Sequence, residues 1–553
     1  MKLPQNDIGE FAQSIADQCF VSQKERRDQY AKWRQYYLQG RADGQTAKYN
    51  RCYPHIDRMQ GYLYSPLDVR FLIEYDMTEG EEWQAMADTA ARFLNREFHR
   101  SGVDLRFSQA LEWALVKNSA FMKVQWGHDG LEPWLIQPEF MGVYREDIED
   151  LDRQEAICQK SYLTPGQFRR LVSGRHNEAE LLDKVKGMSL GTRAAEELEE
   201  NYLHQIVFGA LYPVSVPGGQ TGNNSGMVSV PTNMTPVLSP EVMKSLIPFH
   251  EMYVLDDERE DYTTLRWVAP DVVIDGKLTR ENLFLKGEQP YVQVCPTKTA
   301  GYFWGQSELT EIAPLQDMLN DRVDALNRLF KLRANPPMAF SGYAGITEQK
   351  YQELMSPGGW ISEQNPNAKA ESKAPEIPPE AFTTIQSIVG YFDDVGGFPS
   401  MLKGEGEAGV RAGAHADTLV RTGSPRIRDG SILIERQCGD VGHLCFKLLQ
   451  AKTAGLFKTK AGTEDKEFLL EDLPDDYRVG VDSHSGSPAF QSDTRNLVAF
   501  LQKAGAIGPE EVLLLLNPPH LDTLLARAKA RAAAQAQMIA EHPELLTKGK
   551  SKK

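Results

Sequence analysis

From Gly305 to Arg333 the sequence reads GQSELTEIAPLQDMLNDRVDALNRLFKLR, and Ile312, Gln316, Leu319, Val323, Leu326 and Phe330 recur at steps of four and three. That spacing lays one narrow stripe along a single long helix, a seam that one partner helix can cover. Ser307 is placed to cap its start, with Glu308 and Glu311 in the first turn and Lys331 and Arg333 in the last. Each sign sits where the helix dipole favours it. Pro314 is expected either to move the true start to about Ala313 or to bend the helix. From Leu315 to Arg333 such a helix runs about 28 Å at 1.5 Å per residue. Seven prolines follow between Pro336 and Pro379, leaving room for at most two short strands (PMAFSG, GWISEQ) around one helix, TEQKYQELM. A second helix, EAFTTIQSIVGYFDDVGG, comes next, so a small turn-rich module is inserted between two helices.

The stretch after the second helix, MLKGEGEAGVRAGAH, contains Gly404, Gly406 and Gly409 in the G-x-G-x-x-G spacing of a dinucleotide-binding turn, with the acid Asp429 twenty residues beyond. That turn requires a strand before the glycines and a helix opening on them. Here VGGFPSMLK precedes it, with a proline and no strand pattern, and Glu405 and Glu407 inside the motif would repel phosphates. Asp429 precedes SILIE, whereas the fingerprint acid ends its strand. A mobile loop is the better reading, flanked by Lys403 and Arg411; a soluble nucleotide-binding enzyme using GEGEAG is the alternative.

Other catalytic patterns fail in similar ways. No G-K-[ST] closes a glycine run, and GQSEL departs from a nucleophile elbow at Leu309, so Ser307 reads as a cap. Ser483, His484 and Ser485 sit in a Gly/Ser loop without an orienting acid. Cys438, His443 and Cys445 match no zinc spacing, and a helix face through Cys438, Val441 and Cys445 explains them. Arg527, Lys529 and Arg531 read as the solvated face of an Ala-rich helix. The expectation is a protein that is not an enzyme and holds neither cofactor nor metal.

At 553 residues, length suggests about three to four domains. A net charge of −16 opposes a broad grip on nucleic acid, though not local contact. Six scattered cysteines without a CxxC suit a reducing cytosol. The start, MKLPQNDIGEFAQSIADQ, has no basic or apolar signal region, and no apolar run is long enough to span a bilayer, so no membrane association is expected.

Along the chain, helical patterns cover Asp7–Gln39, YPHIDRMQGYLYSP, EEWQAMADTAARFLNREFHR and DLRFSQALEWALVKNSA. Strand patterns follow in FMKVQWG and EPWLIQPEFMGVYRE. After a helix-rich stretch (TPGQFRRLVSG through AAEELEENY) they resume in LHQIVFGALYPV, HEMYVLDD, TTLRWVAP and PYVQVCP. VPGGQTGNNSGMVSVPTNMTP reads as an exposed loop. Beyond the glycines, GAHADTLVRTGSPRIRDGSILIERQCGDVGHLCFKLLQ is helical with an expected kink at Pro425. LPDDYRVGVDSHSGSP reads as strand and loop, and the end as helix with a Pro-Pro break and a basic tail. The class is α+β, predominantly helical.

This order of parts resembles the portal proteins of tailed double-stranded DNA bacteriophages. GQSEL…LQDMLNDRVDALN is the most family-like piece, and KYNRCYPHIDRMQGYLYSP resembles the family's early helices. The resemblance implies a wing in residues 1–300, a first stem helix in 301–333, a clip in 334–379 and a second stem helix in 380–396. A tunnel loop would span 397–411, a long kinked helix and wing return 412–488, and a crown 489–553. It implies a homo-oligomeric ring, typically of twelve, at one capsid vertex of the virion, assembled in the host cytoplasm. DNA is packaged and ejected through such a ring. Its implied partners are terminase, tail adaptors, and the major capsid and scaffold proteins. Duplex DNA would pass through weakly bound, with Lys403 and Arg411 as basic tips and Gly404, Gly406 and Gly409 giving the loop its freedom.

Overall fold

The computed structural model describes residues 1–187, 247–341, 369–397, 425–481 and 498–503, with short gaps inside them and a few single residues elsewhere. Two compact units emerge: Met1–Gln60 with Gln109–Pro399, and Gly61–Ser108 with Ser400–Lys553.

The chain opens with α1 (Ile8–Cys19), α2 (Gln23–Gln39), α3 (Cys52–Leu63), β1 (Phe71–Tyr75), α4 (Glu81–Arg100) and α5 (Val103–Lys117). Then come β2 (Ala120–Trp126), β3 (Leu131–Ile136), β4 (Met141–Val143), β5 (Ala156–Leu163), α6 (Pro165–Val172) and α7 (Glu178–Gly187). Next are β6 (Ile247–Asp256), β7 (Asp261–Ala269), β8 (Val272–Leu278) and β9 (Tyr291–Val294). They lead to α8 (Leu309–Ala334), β10 (Met338–Ser341), β11 (Lys369–Ser372) and α9 (Glu380–Gly396). The last are α10 (Pro425–Lys452), β12 (Leu456–Ala461), β13 (Glu464–Leu469) and β14 (Tyr477–Val481).

In the first unit β4-β5-β6-β7-β8 form an antiparallel sheet in sequence order, and β3-β2-β9 form a second. Alternation sorts the strand residues. Met252, Val254, Leu265 and Trp267 pack with Ala12, Ile15 and Cys19 of α1. Ile157, Tyr253 and Tyr262 belong to a different cluster, with Phe121, Phe303 and Trp304. A buried charge cluster links the sheets: Lys123 of β2 meets Glu251 of β6 at 2.7 Å, with Arg266 of β7 at 3.7 Å. Tyr253 also donates to Glu251, at 2.7 Å. Burial alone would raise the Glu251 carboxyl, but Lys123 and Arg266 outweigh it and hold it at about 2. α6 shows how local sequence starts a helix here. Thr164 caps it, Gln167 returns the bond in a capping box, and Pro165 takes the first turn, where its missing N–H costs nothing.

The second unit pairs β1 with β14, Phe71 opposite Val481. Asn95 of α4 accepts from the Phe71 N–H and donates to its carbonyl, fixing that strand's end. Cys438, Val441 and Cys445 lie buried along α10, and a Cβ at Gly442 would stand 2.3 Å from the Phe71 ring. All six cysteines are buried thiols.

Several expectations change. The helical stretch 7–39 breaks at residues 20–22 into α1 and α2. Pro314 does not delay α8, which already runs from Leu309 and carries the proline inside it. The partner of PMAFSG is Lys369–Ser372, in register Met338↔Ser372. GWISEQ lies outside the described residues, as do LHQIVFGALYPV and the 216–236 loop. α10 is described from Pro425 onward, and residues 401–424, the other flank of the expected kink, lie outside the described residues.

Candidate self-assembly interface on the helical hairpin

The GQSEL stretch is an anchor. Trp304 is buried, its indole N–H donates to Glu146 at 2.8 Å, and the Arg26 guanidinium stacks over its ring at 3.7 Å. Gly305 has φ +69, and a Cβ there would stand 2.4 Å from Cys295 Sγ and 2.6 Å from the Thr297 carbonyl. Only glycine fits such a position without strain. The Ser307 hydroxyl lies within 3.1 and 2.7 Å of the Leu115 and Val116 carbonyls at the end of α5, and accepts from the Leu309 N–H at 3.1 Å. It is buried and fully engaged, which fits a capping role and leaves no free nucleophile.

The two stretches that carry the family resemblance meet in space. Gln316 of α8 is buried, accepts from the Arg51 N–H at 2.9 Å and donates to the Tyr49 carbonyl at 3.0 Å. Its neighbour Asn320 donates to the Gly40 carbonyl at 2.8 Å. Tyr36 donates to Asp317 at 2.6 Å, and burial together with that bond raises the phenol. Asp324 accepts from Arg41 and from Lys48, the latter at 3.2 Å. Partial burial would raise Asp324, but those two cations lower it. Asp393 near the end of α9 pairs with Arg58 of α3 at 3.2 Å.

Beyond Asp324 the hairpin changes character. Among the described residues, no side chain from Ala325 to Ala334 makes a hydrogen bond or ion pair to the body. α9 returns antiparallel, so that Phe330 and Phe382 face each other with ring centroids 6.4 Å apart. The predicted seam is therefore split. Ile312, Gln316 and Leu319 are buried, whereas Phe330 is 46% exposed. Met318, Leu332, Phe382 and Tyr391 are also exposed, while Ile388 and Phe392 of α9 are buried. Apolar side chains displayed along one two-helix projection mark an interaction surface.

Of the predicted site residues, Lys403, Gly404, Gly406, Gly409 and Arg411 lie outside the described residues, as do Ser483, His484, Ser485, Lys529 and Arg531. Asp429 is an exposed residue inside α10 and ends no strand. Arg527 is exposed. Among the described residues no His/Cys/Asp/Glu group is arranged to hold a metal, and no helix is long and apolar enough to cross a membrane. The clamp residues Tyr36, Arg41, Lys48, Tyr49, Arg51 and Arg58 carried no signal of their own in the sequence. Only the polar Gln316 inside an apolar seam hinted that a hydrogen-bonding partner waits there.

The described residues are thus a mixture of helices and antiparallel sheets, in which α8, the paired strands β10 and β11 and α9 follow one another as a hairpin. No protein-family model matches the chain, and no curated protein does. Among solved structures, it is similar to a chain in the neck of an empty GTA particle, at 11% identity and TM-score 0.37, covering 84% of this chain and 89% of that one. It is also similar to a chain in the virion of a native gene transfer agent (GTA) particle, at 13% identity and TM-score 0.35, covering 84% and 93%.

Proposed function

We propose that this chain is a portal protein, forming a closed homo-oligomeric ring at one capsid vertex through which duplex DNA is packaged and ejected. The observation that carries this reading is the split seam. α8 is locked to the body through its first turns, while its last turns and α9 display Phe330, Leu332, Phe382 and Tyr391 to solvent. A rigidly based projection with an uncovered apolar flank suits repeated copies side by side, and a head-to-tail contact of that kind closes into a ring. In this reading α8 and α9 are the stem, 334–379 the clip that meets terminase and tail adaptors, and 397–411 the loop whose Lys403 and Arg411 approach DNA. The body serves as wing and 489–553 as crown. The acidic chain would let DNA slide, because its net charge of −16 sets up no broad attraction for phosphate. Negative-stain microscopy of the purified full chain tests it. Rings with a central hole are expected, and a monodisperse monomer at all concentrations sinks the reading.

A further inference from the structure

We infer that the hairpin carries both halves of its own subunit contact: the basic end of α8 in one copy pairs with the acidic approach to α9 in the next, the copies lying side by side in the same orientation. This rests on the ring reading above and adds the surface and the pairing.

Charge is sorted along α8. Its first half exposes Glu311, Asp317 and Asp321, with Arg322 beside them at the midpoint, and its far end exposes Arg328, Lys331 and Arg333. The Phe330–Phe382 contact puts that far end level with the start of α9, where Glu376 and Glu380 are exposed. Among the described residues none of Arg328, Lys331, Arg333, Glu376 and Glu380 forms an ion pair. One short section of the hairpin therefore holds three cations on one strut and two carboxylates on the other, both without an ion-pair partner among the described residues. Translating a copy sideways brings unlike faces together at the same height, which is the geometry of a heterologous contact.

The rest of α9 is prepared for burial. No charged residue occurs from Ala381 to Phe392. Its exposed serine and threonine hydroxyls are satisfied internally: Thr383 and Thr384 donate to the Glu380 carbonyl at 3.0 and 2.7 Å, and Ser387 donates to the Thr383 carbonyl at 3.0 Å. Covering those three hydroxyls strands none of their donors, which lowers the cost of desolvating that face, while Phe382 and Tyr391 supply apolar area. A nucleic acid fits less well, since Glu376 and Glu380 would repel phosphates at the level where the cations attract them.

Charge reversal on each strut tests the pairing. Variant one carries Lys331→Glu with Arg333→Glu; variant two carries Glu376→Lys with Glu380→Lys. Circular dichroism and thermal melts establish that each folds, and mass photometry reads assembly of the full chain. Each variant alone is expected to lose assembly by about tenfold or more, and a one-to-one mixture to recover it to within about twofold of the native level. The recovered rings would hold equal numbers of the two variants. Helix-dipole effects cannot produce recovery by mixing, because they act within one chain. Variants that assemble normally, or folded variants whose mixture stays monomeric, overturn the pairing while native rings leave the ring reading standing. Loss of duplex-DNA binding in variant one without loss of assembly also overturns it, and assigns the cations to nucleic acid. A native chain that never assembles overturns both.

Discussion

Gln316 Nε2 donates to Asn320 Oδ1 across 3.0 Å, one turn along α8, and both side chains are buried where the helix meets the 40–51 segment. Together they satisfy the Arg51 N–H and the Tyr49 and Gly40 carbonyls. Gln316→Leu leaves backbone groups buried without partners, and is expected to cost about 2 kcal/mol or more in denaturant unfolding. Adding Asn320→Leu should cost less than the sum of the two single changes, because the pair acts as one network.

Gly305→Ala is expected to destabilise the fold by about 1–3 kcal/mol, since the left-handed backbone and the nearby Cys295 and Thr297 atoms both exclude a side chain. Chemical denaturation against the native chain measures it, and an unchanged midpoint would mean that the start of α8 can relax away from β9.

Acid should weaken the link between the two sheets. The Glu251 carboxyl sits at about 2 in the fold against an ordinary value of 4.5, so the folded form binds its proton less readily than the unfolded chain. The resulting stability is fully present above about 4.5 and is lost as pH falls through about 2, a contribution on the order of 3 kcal/mol. Glu251→Gln should flatten the decline in melting temperature over that window. It should also lower stability at pH 7, where Lys123 and Arg266 lose their charged partner.

Tyr391→Ala removes an exposed ring, so the monomer should melt within about 0.5 kcal/mol of the native chain. Assembly should weaken by about 1–2 kcal/mol, read as a shift in the concentration at which oligomers form. A large loss of monomer stability would place the ring in the core instead.

Lys403→Ala with Arg411→Ala should leave ring formation intact and reduce DNA packaging or retention. Unchanged yield and retention would remove both residues from any role with DNA.

The hairpin was legible in the sequence because a long single-period helix declares itself without tertiary information: α8 and α9 run where the spacing put them. Short strands were less so. FLIEY is an apolar run that periodicity alone cannot assign, and its partner Tyr477–Val481 lies some four hundred residues away. LFKTKA and EDKEFL are too charged to read as strands, yet they pair, with Lys458 meeting Glu467 at 2.7 Å across the hairpin. KAES pairs with MAFS for a similar non-local reason, closing a loop whose ends the two helices already hold together. The seam was visible as a stripe, but its division into a covered and an uncovered half depends on where α2 and α3 stop, which no local pattern records.

That division has a mechanical meaning. The polar clamps on α8 end at Asp324, and the remaining turns lean on α9. A sideways push at the β10–β11 tip therefore acts on a cantilever whose fulcrum is Asp324 and whose root is braced by Arg58 on Asp393. Bending would concentrate at the Arg41 and Lys48 contacts, and strain entering at the tip would reach the body at α2 and α3 before it reached either sheet.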